Sequence, residues 1–218
     1  MIFTSRNPAT EAVIATYLES DSNDVLRAMN RARQEQIEWA RRSVEERGRI
    51  LLRLADILER DVDEVAVLIT EEMGKPIMQS RDEVLKCANA CRYFAELAPR
   101  VLADEPQTMD VGSATIMYQA IGVVVCIMPW NFPLWQFFRF VAPALVAGNG
   151  VLLKHAPTTW GCARKTVAMC HEAGVPRDVV QCMMVDVDRV EMLIGDVNVR
   201  AVTFTGSTQG GQAVAQLA

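Results

Sequence analysis

The sequence predicts an α/β fold in which a parallel sheet, with helices on both of its faces, follows a helical amino-terminal region. Apolar residues recur at helical spacing through the first hundred residues, whereas short apolar runs alternate with helical segments from residue 121 onwards. Alternating strands and helices with short links are typical of a doubly wound parallel sheet. We therefore expect a helical part over residues 1–100 and the sheet over residues 101–218.

The helical part opens with a short segment and continues as helices with recognisable boundaries. Helices are expected over Asn23–Arg42, from Ser43, up to about Met73 and over 77–98. Ser43 and Glu46 have the spacing of a capping box at a helix start. Gly74 can take the left-handed conformation that stops a helix, and Pro76 prevents its continuation.

The pattern changes after Pro99. Thr115–Tyr118 is a candidate strand, and Ile121–Met128 is an almost unbroken β-branched run, as expected for a strand buried on both faces. The alternation that follows predicts strands at 121–128, 150–154, 179–185 and 201–205, with helices at 134–147, 159–173, 188–195 and from 208. Ligands of such sheets bind at the carboxyl ends of the strands, which directs attention to loops 129–133, 154–158 and 205–211.

Composition excludes several classes of function. Half of the 218 residues are hydrophobic and the formal net charge is −5, which argues against nucleic-acid binding because phosphates need concentrated Lys and Arg. The stretch Val111–Leu153 has a single charge, but prolines interrupt it, so we expect no membrane span. No secretory apolar segment stands at the amino end, and we expect a cytoplasmic protein.

The six cysteines are expected to be buried, reduced thiols, because they lie within apolar or helical stretches. They stand at positions 87, 91, 126, 162, 170 and 182. Neither a CxxC pair nor a Cys/His cluster accompanies them, so we expect no metal site.

Three loops contain candidate functional residues, each with a plainer alternative. Asn131, held between two aromatics and two prolines, could donate a hydrogen bond to an oxyanion, or the loop could be a structural proline turn. Lys154 could meet a ribose or a phosphate, or it could be a strand-end lysine whose ammonium reaches water. Gly206 and Ser207 open a helix and could receive a phosphate, or they could form a plain capped turn.

Arg139 is the only charge between Asp110 and Lys154. An arginine in so apolar a stretch is expected to need an anionic partner, because an unpaired buried charge is costly. The partner could be an internal carboxylate or the carboxylate of a substrate, since the guanidinium fork fits either.

Together these motifs resemble the aldehyde dehydrogenase superfamily. The order and spacing agree at Pro129-Trp130-Asn131-Phe132-Pro133, Ala147-Gly148-Asn149, Leu153-Lys154, Phe204-Thr205-Gly206-Ser207, Asn7-Pro8-Ala9-Thr10 and Glu72-Met73-Gly74-Lys75-Pro76. The likeness covers essentially the whole chain. Met128–Arg139, with Lys154-His155-Ala156, resembles bacterial succinate-semialdehyde dehydrogenases in particular.

The resemblance implies a Rossmann-like fold that binds NADP or NAD and oxidises an aldehyde, with succinate semialdehyde the expected substrate. It implies these roles: Asn131 for the oxyanion, Pro129 and Trp130 beside the nicotinamide, Lys154 at the adenosine ribose or its 2′-phosphate, Gly206 and Ser207 at the pyrophosphate, and Arg139 and Trp135 at the distal carboxylate of the substrate. Pro157 replaces the glutamate usual in NAD-preferring relatives, which makes NADP plausible without excluding NAD.

The resemblance also places the family's catalytic glutamate and cysteine beyond Ala218. We therefore expect the carboxyl-terminal catalytic domain to be absent and this chain to be inactive alone. The alternative is a non-catalytic protein that binds NAD(P) or interacts with other subunits. Full-length relatives are expected to be homo-oligomers.

Overall fold

The computed structural model describes all residues from Met1 to Ala218 and confirms the α/β class. The strands are β1 (Ile2–Arg6), β2 (Val13–Leu18), β3 (Glu105–Gln107), β4 (Ala114–Ile116), β5 (Val123–Met128), β6 (Gly150–His155), β7 (Val180–Cys182) and β8 (Val199–Phe204). The helices are α1 (Ser22–Arg41), α2 (Val44–Arg60), α3 (Val62–Met73), α4 (Ile77–Val101), α5 (Trp135–Val146), α6 (Trp160–Ala173), α7 (Val190–Ile194) and α8 (Thr208–Leu217).

The central sheet is parallel, with four strands in the order β7-β6-β5-β8. Its two inner strands, β5 and β6, are buried on both faces, which explains their nearly continuous apolar sequences. Along β5, Val125 and Ile127 point to one face and Cys126 and Met128 to the other. This alternation gives the sheet two cores, one on each face.

Helices cover both faces of this sheet. Residues of α2 to α6 join one face in a core of 39 buried residues, which also includes Trp39 of α1. The inner stripe of α1, with Val25 and Met29, joins α7 against the other face in a core of 13 buried residues. The helices of residues 1–100 are thus packed directly on the sheet of residues 101–218. No helix combines the length and the apolar content needed to cross a membrane.

Several predicted boundaries are confirmed. The Ser43 hydroxyl accepts from the Glu46 N–H, while the Glu46 carboxylate accepts from the Ser43 N–H, so the capping box is complete. Gly74 ends α3 in the left-handed conformation with φ 74°. Helix α4, however, continues through Pro99 to Val101, because a proline in the last turn disrupts little of the remaining hydrogen bonding.

Two antiparallel hairpins escaped the sequence analysis, β1–β2 at the amino end and most of β3–β4. The turn between β1 and β2 is built by Asn7, whose side-chain oxygen accepts from the N–H groups of Ala9 and Thr10. Only Phe3 and Ser5 of β1 are buried, so its apolar alternation is too short to predict a strand. Strand β7 is also shorter than the predicted 179–185.

Candidate functional site at the carboxyl edge of the sheet

The three loops singled out in the sequence lie side by side at the carboxyl edge of the sheet. Ile127 of the central strand β5 pairs with Lys154 of β6 on one side and with Phe204 of β8 on the other. The Thr205 N–H extends this ladder by donating to the Ile127 carbonyl at 3.0 Å. Loops 129–133, 154–158 and 205–211 therefore begin at the same position along the strand direction, as expected for a doubly wound sheet.

The loop 129–133 is fixed on its inner side by His155, a fully buried side chain at the end of β6. The Ala156 N–H donates to His155 Nδ1 at 2.9 Å, and Thr159 Oγ1 lies 2.8 Å from the same nitrogen. Because Nδ1 is an acceptor, the proton resides on Nε2, which donates to the Pro133 carbonyl at 3.0 Å. Burial lowers the pKa of His155 to about 4, which keeps the imidazole neutral.

A buried ion pair holds the other side of this loop. Both Lys75 and Glu83 are almost inaccessible to solvent, and the Lys75 ammonium contacts Glu83 Oε2. Glu83 Oε1 accepts from the N–H groups of Leu134 and Trp135, at 2.9 Å each, and so caps α5. The Lys75 ammonium also lies 3.6 Å from the ring centroid of Phe132, which is a cation–π contact. With His155, the pair leaves the loop little freedom of movement.

The same loop presents its tip to solvent. Asn131 is exposed, and Trp130 and Phe132 keep 53% and 43% of their surface accessible. A rigid base beneath an exposed amide is the arrangement that favours a preorganised hydrogen-bond donor. A structural proline turn and a hydrogen-bond donor at Asn131 are therefore compatible, because the two prolines help to make the loop rigid.

A second buried glutamate caps the helix that follows β6. Glu72 Oε1 accepts from the Gly161 N–H at 2.9 Å, and Oε2 accepts from the Cys162 N–H at 2.8 Å. The Ser5 hydroxyl donates to Glu72 Oε1 at 2.8 Å. Carboxylates from α3 and α4 thus satisfy the first turns of both α6 and α5.

Lys154 is a buried cation without a protein partner. Its side chain retains 6% of its accessible surface, and the ammonium forms neither a salt bridge nor a hydrogen bond. Burial lowers the pKa of Lys154, and the negative charge of Asp186, in the loop after β7, partly opposes this effect. The stem of Lys154 is buried, whereas its ammonium is not among the fully buried polar atoms without a partner, so the snorkelling alternative stays open.

The loop after β8 opens helix α8 with a side-chain cap. Ser207 Oγ accepts from the Gly210 N–H at 3.1 Å, and no carboxylate occupies the first turn. A Cβ atom at Gly206 would lie 2.5 Å from Phe204 Cζ, and one at Gly210 would lie 2.9 Å from the same atom. The glycines therefore have a packing reason to be present, in addition to any role toward a phosphate.

Arg139 departs from expectation. We predicted a buried charge that needs an anionic partner, but Arg139 is exposed, and its guanidinium donates to the Thr205 hydroxyl at 2.9 Å. Composition misled the prediction because it does not reveal which side of a helix faces solvent. Trp135, one turn earlier on α5, is half-buried beneath Lys86, whose ammonium lies 4.0 Å from the ring centroid.

The six cysteines are free thiols, as predicted, and all but Cys182 are buried. Burial raises the pKa of every one of them, to about 12 for Cys170 and Cys182. Cys126 lies directly below the loop 129–133, yet desolvation also raises its pKa well above the usual value. None of these thiols has the environment of a nucleophile.

Four residues that shape this edge have roles that the sequence alone does not indicate: Lys75, Glu83, His155 and Asp186. Lys75 and His155 stand within motifs that were noticed, but nothing in the motifs reveals what the side chains contact. Glu83 looked like one charge among many on a solvated helix, although its helical position between Ser80 and Val84, both buried, was a signal.

Comparison with known proteins identifies the family. The model of the aldehyde dehydrogenase family matches residues 2–218. The chain is 39% identical over 210 residues to the succinate semialdehyde dehydrogenase Sad, described as NAD(P)+-dependent, of Escherichia coli (strain K12), which covers 96% of this chain and 46% of the relative. It is 40% identical over 215 residues to the NADP+-dependent succinate-semialdehyde dehydrogenase of Mycobacterium leprae (strain TN), covering 97% and 47%.

A solved structure agrees with these relatives. The succinic semialdehyde dehydrogenase from Streptococcus pyogenes, in complex with NADP+ as the cofactor, superimposes with a TM-score of 0.94 at 31% identity. The match covers 99% of this chain and 48% of that one. The doubly wound fold, its loop-bearing carboxyl edge and these matches place the chain in one class of protein. It belongs to the aldehyde dehydrogenase family, and it spans about half the length of the relatives it matches.

Proposed function

We propose that this chain is the cofactor-binding portion of an NAD(P)-dependent aldehyde dehydrogenase whose substrate is a semialdehyde with a distal carboxylate, such as succinate semialdehyde. The observation on which the proposal chiefly depends is Lys154, a largely buried lysine without a salt bridge whose ammonium lies at the carboxyl edge of a doubly wound sheet. Burial of its stem partly desolvates this cation and lowers its pKa, so an oxygen ligand at the ammonium would be stabilising. A dinucleotide offers hydroxyl and phosphate oxygens for this contact.

The same edge of the sheet would provide the other contacts with the cofactor. The first turn of α8 lacks a capping carboxylate, so its N–H groups and helix dipole suit a pyrophosphate beside Gly206 and Ser207. Pro129 and Trp130 follow the central strand and would line the nicotinamide side. The bound cofactor would accept hydride from the substrate; the residues of this chain only orient it and exclude water.

Asn131 would stabilise the oxyanion that forms when a nucleophile adds to the aldehyde. Its amide is neutral and can donate two hydrogen bonds, and its loop is fixed from below by His155 and the Lys75–Glu83 pair. Donors that are already in place need no reorganisation as the negative charge develops, which is why the fixed loop matters more than the amide alone.

Arg139 would bind the distal carboxylate of the substrate. Its one side-chain contact is the neutral Thr205 hydroxyl, so the positive charge is not neutralised within the protein. A carboxylate could form the stronger charge-assisted pair with the guanidinium. The identities with succinate-semialdehyde dehydrogenases support this substrate class. Trp135, one turn away, would provide an apolar wall for the methylene groups between carboxylate and aldehyde.

A second function is favoured by the thiols. Because all six have raised pKa values, none is suited to attack an aldehyde, and we propose that the 218-residue chain alone binds cofactor without turnover. The chain would then serve as a nucleotide-binding or subunit-interacting protein. Formation of NADPH or NADH by the pure chain with succinate semialdehyde would contradict this second proposal.

Titration of the pure chain with NAD+ and NADP+ tests cofactor binding, with Lys154→Met as the decisive variant. We expect saturable binding by the wild type and a loss of affinity of about tenfold or more in the variant, as for loss of a charge-assisted contact. Lys165→Met is the matched control, since Lys165 pairs with Glu64 on the surface of α6. Absence of saturation by either dinucleotide, or equal affinities of Lys154→Met and wild type, would refute the proposal.

A further inference from the structure

Asp186 lies in the loop after β7, beside the carboxyl end of β6 that holds Lys154. The two strands are neighbours, and the Met183 N–H donates to the Leu153 carbonyl at 2.7 Å, so the chain after β7 runs beside the end of β6. Asp186 follows three residues later. Its charge is the one that opposes the effect of burial on the Lys154 ammonium, yet the two groups form no salt bridge.

The carboxylate of Asp186 is free to act on a ligand. Its Oδ1 accepts from the Val187 N–H at 2.7 Å, which orients the group, while Oδ2 has no hydrogen bond within the protein. The other acid in this region, Glu19, is neutralised by Arg189 and by the amino terminus. Asp186 has no such cation, and it is only half-buried.

The loop after β6 supplies no acid to this site. The residues from His155 to Thr159 contain no carboxylate, because the loop after β6 reads His-Ala-Pro-Thr-Thr. The charges of Lys154 and Asp186 therefore sum to zero. One residue can donate a hydrogen bond and the other can accept one, which suits the two neutral hydroxyls of a ribose.

A 2′-phosphate in place of the ribose hydroxyl would interact differently with the charges of Lys154 and Asp186. It has about −1.5 to −2 charges at neutral pH, and it would replace the hydroxyl that Asp186 can accept from. The carboxylate would then lose a hydrogen bond and gain a repulsion, against one attraction from Lys154. The pair thus discriminates against the phosphate.

We propose that Asp186 is a specificity-determining residue that binds the adenosine ribose of NAD and disfavours NADP, so that this chain prefers NAD although relatives are NADP+-dependent. This inference rests on the proposed function, because it requires the dinucleotide to lie against Lys154. Asp186 would thus oppose the effect of Pro157, which removes one carboxylate and makes NADP plausible without excluding NAD.

The test compares the dissociation constants of NAD+ and NADP+ for the 218-residue chain by calorimetry. We expect the wild type to bind NAD+ about tenfold or more tightly than NADP+, and Asp186→Asn to reduce that ratio by about tenfold, as for one lost repulsion and hydrogen bond. Asparagine keeps an oxygen for the Val187 N–H, and Asp186→Ser provides a second variant that can also cap. Asp188→Asn, two residues away and exposed, is the control that should leave the ratio unchanged.

The outcomes separate the two proposals. If both dinucleotides bind but Asp186→Asn and Asp186→Ser keep the wild-type ratio, the role of Asp186 is refuted and the proposed function stands. A wild type that prefers NADP+ would likewise refute the role of Asp186 and leave the proposed function standing. If neither dinucleotide binds the wild type, the proposed function fails and the role of Asp186 fails with it. A loss of NAD+ preference in Asp188→Asn equal to that in Asp186→Asn would also refute the role of Asp186, because a general charge effect would then explain the result.

Discussion

His155 Nε2 donates to the Pro133 carbonyl at 3.0 Å and so ties the end of β6 to the loop after β5. This imidazole has a pKa lowered from 6.5 to about 4 by burial, so the folded protein keeps it neutral where the unfolded chain protonates. The unfolded state therefore binds more protons between about pH 6.5 and pH 4. Stability is lost as the pH falls through this window.

The loss should amount to about 3 kcal/mol of unfolding free energy at the acid end of the window. Urea denaturation at a series of pH values measures it, with His155→Gln as the comparison, since glutamine has an N–H for Pro133 but does not titrate. The difference in unfolding free energy between wild type and variant should shrink toward pH 4. A difference that is constant from pH 7 to pH 4 would show that His155 does not titrate as described.

Glu83→Gln should destabilise the protein by about 3–5 kcal/mol, because it leaves the Lys75 ammonium buried without its counter-charge. Chemical denaturation gives the magnitude. Asp82→Asn, one residue away on the same helix but exposed, should change stability by less than about 0.5 kcal/mol. The double variant Lys75→Met with Glu83→Gln should recover part of the loss, and failure to recover any would weaken the case for an unpaired charge.

The thiols should be unreactive in the native state. Burial raises the pKa of each and hides all but Cys182, so Ellman's reagent at pH 8 should label Cys182 slowly and the others only on unfolding. In denaturant, all six should react. A thiol that reacts rapidly in the native protein would disprove this description and would reopen the search for a nucleophile within the chain.

Arg139→Ala should change substrate preference. In a protein that joins this chain to a nucleophile and a base, kcat/KM for succinate semialdehyde should fall by about 100-fold, as expected for loss of a charge-assisted pair with the substrate. For an uncharged aldehyde such as butanal, the change should be less than about fivefold. Thr205→Val, which removes the present hydrogen-bond partner of Arg139, is the companion variant. Similar losses for both aldehydes would exclude a contact with the carboxylate.

The sequence was a good guide where structure is local. Helical spacing, the capping box at Ser43 and the left-handed Gly74 located the helices, and apolar runs located the sheet. The rule that ligands bind at carboxyl ends selected three loops that do lie together at one edge of the sheet. What it could not supply were contacts between distant positions. The partners of Glu83 and His155 lie 51 and 22 residues away, and no periodicity encodes such distances.

The carboxylates of Glu72 and Glu83 have a consequence for orientation. Four helices follow the four parallel strands at the carboxyl edge; α7 is only five residues long, and α5, α6 and α8 each offer a positive end to an anion. In α6 and α5 that end is already filled by an internal anion, so both are closed to phosphate. Of these three helices, only α8 remains open. On the proposed function, the phosphates of a dinucleotide would therefore bind at α8, and with Lys154 two strands away the protein would fix the direction of the dinucleotide along the sheet.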